Sequence, residues 1–326
     1  MTTGPIADLT YRGYDGPLES PRYRWWVIAR MGIRQAFKKK WYWIFTILSG
    51  LYPILLMTII FFMEQFAGAS PQGEQSLRQF ISRVIWKDQF LHAFSIGQMW
   101  FLFIALLLGA GSIANDNRAN ALLVYLSKPC NKTDYLLGKW MGIFLPLCIS
   151  MALPMAFFWL YGALSYRSYG FLSNDPWMIV KLALLIPVAA AFYASLTVFF
   201  SSLFKQGRIA GVTFAAVYFL SNIFTQLMAF SWVMSQGFGP HRASRDMGDA
   251  AAIIEKLYYA SVDGLSIGAG KAILGTDGSP MFGIPSPVRM VPAPNVFGIA
   301  FLILLVSTIC VWLAWKRIRA VEVIGG

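Results

Sequence analysis

Few residues in this chain have the types and spacing that chemistry needs. The nearest to an acid/base pair is His241-Arg242-Ala243-Ser244-Arg245-Asp246. A carboxylate that orients a general-base histidine suits acyl transfer, and would make the chain a lipid-modifying membrane enzyme. The competing reading is a solvated loop histidine. Gly268-Ala269-Gly270-Lys271-Ala272 has the look of a phosphate-cradling loop. Leu265 stands where its first glycine belongs, however, and Ala272 stands where Ser or Thr would hold magnesium. No cluster of His, Cys, Asp and Glu has metal-ligand spacing. Cys130, Cys148 and Cys310 form no Cys-x-x-Cys motif. His92, at the mouth of an apolar run, reads as a hydrogen-bonded structural histidine. No catalytic residue and no metal site is therefore assigned.

The segment 115–140 is more telling. A reversal between two apolar runs needs only a few polar residues, and this one is far longer. Asp116 or Asn117 suits a helix N-cap, with Arg118 beside them. Leu122, Leu123, Tyr125 and Leu126 would give a short helix an apolar contact surface, and Ser127-Lys128-Pro129 would end it. Thr133 or Asp134 suits the next N-cap. An apolar patch on a polar loop usually marks a partner site. The other reading is a turn resting on lipid.

The elements that must position this loop are set by composition. The 326 residues are 57% hydrophobic and 13% charged, about half the charged fraction of a soluble domain. The windows 41–63, 89–115, 140–166, 182–204, 209–240 and 290–315 contain no Asp, Glu, Lys or Arg. A bilayer span needs about 20 apolar residues, so six transmembrane helices are expected, near 41–63, 90–114, 138–164, 179–203, 209–236 and 293–315. The first run should act as an uncleaved anchor. The fold class is then all-α membrane protein, with one domain over 22–320, a flexible N-terminus at 1–21 and a tail at 321–326.

A net charge of +12 does not imply nucleic acid, because the cations are sorted by side. The first 40 residues carry eight Lys/Arg, and four more lie in 115–140. Lys205, Arg208, Lys316, Arg317 and Arg319 lie on the same side. Positive residues concentrate in the cytoplasm, so both termini are expected there and the loop 237–290 outside. Between 22 and 40 the pattern turns helical. Arg30, Arg34 and Lys38 recur every four residues and share a face, beside an apolar face of Trp26, Ala29, Ile33 and Phe37. That describes a helix on the membrane surface, its cations near lipid headgroups. Leu77, Phe80, Ile81, Val84 and Ile85 suggest an amphipathic outer helix, and Ala250, Ile253, Ile254, Leu257 and Tyr258 another. Gly- and Pro-rich sequence then follows, from Gly264 to Pro294, most of it in the outside loop. Pro53, Pro146, Pro154 and Pro187 are expected to kink spans. Glu64, Asp88, Asp116, Lys139 and Lys181 all fall at span ends. Mid-membrane charge, the mark of ion-coupled carriers, is missing from the pattern.

Three passages then resemble a known family. Asp116-x-Arg118 with Ala121-Leu122 is followed by Tyr125-Leu126-Ser127-Lys128-Pro129, and then by Asp134-Tyr135-Leu136-Leu137-Gly138-Lys139. With the tail Lys316-Arg317-Ile318-Arg319-Ala320-Val321-Glu322-Val323, the chain is similar to the permeases of ABC-2 type transporters. Ala119-Asn120-Ala121 replaces a common Gly-Thr step. The resemblance implies that the loop 115–140 carries a coupling helix seated in a separate ATPase subunit, which would bind the ATP and magnesium. It further implies a second permease subunit, identical or related, a bacterial cytoplasmic (inner) membrane and export. A cargo-free membrane anchor or mechanical transmitter is the alternative.

Overall fold

The uncharged windows fold as helices because hydrocarbon offers no hydrogen-bond partner, so each backbone N–H must bond within its own segment. The computed structural model describes residues 23–68, 70–121, 131–167, 170–237, 252–253, 255–278 and 291–318. Among these there is no strand. The helices are α1 (Arg24–Lys38), α2 (Lys40–Ser49), α3 (Leu51–Ala67), α4 (Pro71–Arg83), α5 (Trp86–Gly109) and α6 (Ala114–Arg118). They continue with α7 (Lys132–Ser165), α8 (Phe171–Asn174), α9 (Met178–Leu203), α10 (Gly207–Gly237), α11 (Val262–Leu274) and α12 (Val296–Arg317). Five helical stretches are each long and apolar enough to cross a membrane, and the bent pair α2–α3 makes a sixth crossing if counted as one. The protein is an all-α membrane protein.

The bend in the first crossing is 50° and lies at Gly50 rather than at Pro53. The helix restarts at Leu51, which puts Pro53 in the first turn, where backbone donors have no intrahelical partner to lose. Gly50 is needed for a second reason: a Cβ there would sit 2.8 Å from Pro154 Cβ on α7. Pro146 and Pro154 lie inside one uninterrupted helix, as Pro187 does in α9. Tyr42 on α2 donates to the Pro146 carbonyl at 2.9 Å. The outer helix α4 starts at the Ser70 N-cap, whose hydroxyl accepts from Gly73 N, with Pro71 next. It ends at Arg83, so Val84 and Ile85 fall outside the helix expected to include them.

The largest departure is α11. The Gly-rich stretch from Gly264, read as part of the outside loop, instead forms a helix to Leu274, capped by Ser261 and ended by Gly275 at φ 69°. It is too short to span and is buried among α5, α9, α10 and α12, as a helix of about 10–14 apolar residues usually is. Its glycines serve close packing: a Cβ on Gly268 would meet the Tyr259 ring at 2.8 Å. Lys271 is only 4% exposed. Its ammonium donates to the Val291 carbonyl and sits 5.9 Å over the Tyr258 ring. A lysine of the stretch read as an outside loop is thus enclosed within the bundle.

Cations also hold the other end of α11, where carbonyls lack partners and the dipole is negative. Lys87 donates to Gly275 O at 2.8 Å and Lys181 to Leu274 O at 3.3 Å. Lys181 also pairs with Asp175 at 2.6 Å. Buried Asp88 accepts from the Thr276 hydroxyl. At the start of α11, Asp263 accepts from Tyr218 at 3.2 Å.

Candidate functional site

The expected docking loop leaves the end of the second crossing. There α5 opens into a turn at Ala110–Ile113 before α6 begins. The turn is fixed from α9. Ser201 Oγ accepts from Ile113 N at 3.0 Å and Ala114 N at 3.1 Å, and donates to Ala110 O at 2.9 Å. One hydroxyl therefore satisfies two donors that a helix start leaves open. Gly111 and Gly207 allow the turn joining α9 and α10 to lie against this point, since a Cβ on Gly207 would be 2.8 Å from Gly111 Cα.

Asp116 does not cap a helix. It lies within α6, which ends near Ala119 and Asn120, and Asn120 takes the left-handed φ of 51° that asparagine tolerates. The Asp116 carboxylate turns toward α7. It accepts from the Tyr135 hydroxyl at 2.7 Å and pairs with the Lys139 ammonium at 2.7 Å. Tyr135 and Lys139 are one helical turn apart and so share a face. The ion pair holds Lys139 inward, at 18% side-chain exposure. The next helix is capped by Asn131, not by Thr133 or Asp134. Asp134 instead completes a capping box by accepting from the Asn131 N–H at 3.3 Å. Asn117 is half-buried and Arg118 exposed. Leu122, Leu123, Tyr125, Leu126, Ser127, Lys128 and Pro129 lie outside the described residues.

Helix α1 packs chiefly on α7. Arg30, Arg34 and Lys38 are exposed together along one side. The packed seam overlaps the expected apolar face at Ala29, while Trp26 is exposed. It runs through Ala29, Gly32 and Ala36, against Gly138-x-x-x-Gly142 of α7. A Cβ on Gly32 would be 3.1 Å from Gly142 Cα, and one on Gly138 only 2.7 Å from Trp25 O. Small residues let two backbones approach in a membrane. Gly32 and Ala36 carry little hydropathy, so the apolar pattern passed over these two; the Gly-x-x-x-Gly spacing was the available signal.

Between α1, the end of α5 and the start of α7 lies a polar cleft of about 400 Å³. Lys39 stands in it and donates to Leu107 O at 2.7 Å; burial pushes its ammonium pKa down. Of the other singled-out residues, His92 packs 6.0 Å from the Tyr52 ring. His241 and Asp246 lie outside the described residues. The Lys271 motif belongs to buried α11.

A helical bundle of five or six crossings defines a multi-pass membrane protein. The chain matches the family described as ABC-2 family transporter protein over residues 26–243, and it belongs to that family. It is thus a membrane transport component. A search of curated proteins finds no similar sequence.

Proposed function

We propose that this chain is the permease subunit of an ATP-driven exporter in a bacterial cytoplasmic membrane. A separate ATPase subunit, carrying the ATP and magnesium, engages the loop 115–140, and a second permease, identical or related, completes the pathway. Both termini and this loop face the cytoplasm. The observation that carries the reading is the clasp of Asp116 on Tyr135 and Lys139. It ties the two stems of the loop together, so a push on the loop moves the second and third crossings as one body. The Gly138–Gly142 seam makes α1 follow the third. The cations Arg30, Arg34 and Lys38 then rest on anionic headgroups, each contributing about 1 kcal/mol of attraction.

The docking surface is tested by Leu122→Asp combined with Tyr125→Ala. A charge buried without a partner at an interface is strongly unfavourable. The expected result is loss of ATPase co-purification, or loss of cargo-stimulated hydrolysis, with insertion intact. Ile253→Asp in the opposite loop should change neither. Normal binding and stimulation in the double variant would remove the coupling role from this loop.

Orientation has its own test. Cysteines at Gly4 and Gly325 should be shielded from an impermeant thiol reagent in intact cells, while one at Ser279 is labelled. The reverse pattern would turn the protein over and put the loop on the wrong side for an ATPase.

A further inference from the structure

The cleft beneath α1 contains more positive charge and more hydrogen-bond donors than its own walls satisfy. Lys139 is neutralised there by Asp116 at 2.7 Å. Lys39 is not neutralised: among the described residues its ammonium has one hydrogen-bond partner, the Leu107 carbonyl. An ammonium has three donors, and enclosing one without a counter-charge is costly. Ser112 Oγ, also on the cleft wall, is buried with no hydrogen-bond partner among the described residues. The amides of Gln35 and Asn115 line the same space. One wall is apolar, with Ile28 and Met31 of α1 beside Leu108.

We propose that this cleft binds the phosphate of an anionic phospholipid from the cytoplasmic leaflet, with Lys39 as its counter-ion and Ser112 as a hydroxyl donor. The placement rests on the orientation under Proposed function. The cleft then lies at headgroup depth, at the ends of two crossings and beside a helix whose outer side carries Arg30, Arg34 and Lys38. Basic pockets between transmembrane helices on the cytoplasmic side suit lipid headgroups. A phosphodiester matches what is missing: one negative charge and several acceptors for Lys39, Ser112 and the amides. The apolar wall receives the start of the acyl chains. Because α1, α5 and α7 all contribute, the bound lipid would bridge the surface helix to the two crossings that bear the loop.

The test needs no ATPase and no cargo, so it fails or succeeds independently of the transport reading. The purified full-length chain is titrated with phosphatidylglycerol in neutral detergent and followed by native mass spectrometry and by melting temperature. Phosphatidylcholine and inorganic phosphate are the other probes. The wild type should retain one phosphatidylglycerol and melt higher with it than with phosphatidylcholine. Lys39→Gln should weaken retention about tenfold, as expected for one charge-assisted hydrogen bond. Ser112→Ala should weaken it several-fold, and Lys39→Arg should retain it. Arg208→Gln removes the same charge from an exposed position outside the cleft and should leave retention within about twofold of wild type. If Arg208→Gln and Lys39→Gln lose lipid equally, the effect is general surface charge and the site is overturned. If inorganic phosphate alone raises the melting temperature as much as the lipid does, the ligand is a soluble phosphate and the lipid assignment falls. If Lys39→Gln does not fold, Ser112→Ala and Lys39→Arg decide, and equal loss in both overturns the headgroup geometry.

Discussion

Asp116→Ala is expected to uncouple the transporter while leaving it inserted in the membrane. The substitution removes the acceptor of the Tyr135 hydroxyl and the counter-charge of Lys139 together. Breaking a buried pair by removing one partner costs about 3–5 kcal/mol. Here the two side chains are 18% and 20% exposed, so water screens part of the penalty and about 2 kcal/mol is the better expectation. On the proposed coupling to a separate ATPase, cargo-stimulated hydrolysis should fall, because the two stems of the loop no longer move together. The double variant Asp116→Leu with Lys139→Met leaves no charge unpaired and should recover the melting temperature, a non-additivity that a double-mutant cycle reads directly. Stimulation should stay low in the double variant if the clasp transmits force. A single variant with wild-type melting and wild-type stimulation would remove the clasp from the mechanism.

The second large effect separates two glycines four residues apart. A methyl on Gly138 would come within 2.6 Å of Ile28 Cβ and 2.7 Å of the Trp25 carbonyl, which is backbone and cannot step aside. Gly138→Ala should therefore lift α1 from α7, at the roughly 1–3 kcal/mol typical of overpacking. A methyl on Gly142 meets nothing closer than 3.4 Å. There alanine should be tolerated, or stabilising by up to about 1 kcal/mol, since glycine is a poor helix former. Melting temperature in detergent, together with trypsin cleavage after the exposed Arg30 and Arg34, measures both. Equal melting and equal cleavage of the two variants would mean that α1 does not depend on this seam.

The particular residues explain why some of this was legible in the sequence. Uncharged windows of bilayer length announce helices because no other open structure satisfies its backbone in hydrocarbon, and the all-α membrane fold was readable from them. The Asp116-to-Lys139 passage stood out as a polar loop far longer than a reversal between crossings needs. The family membership was readable there too. α1 was placed by its Arg30-Arg34-Lys38 repeat, and Ala29 of its packed side was read with it, but Gly32 and Ala36 were not, because they matter by being small and hydropathy does not measure shape.

Tertiary structure alone decided the roles of Asp116 and α11. Asp116 has the composition of a cap, and only the arrival of α7 beside α6 makes it a clasp for Tyr135 and Lys139. The stretch from Gly264 to Leu274 looks like a loop because glycine is a weak helix former when considered by itself. Its helix is held by contacts distant in sequence: Tyr259 against Gly268, Lys87 and Lys181 on its last carbonyls, and Tyr218 on Asp263. Local sequence fixes which segments are greasy enough to be helices in a membrane. Which small residues may touch, and which charges find partners, depends on neighbours that only the folded bundle brings together.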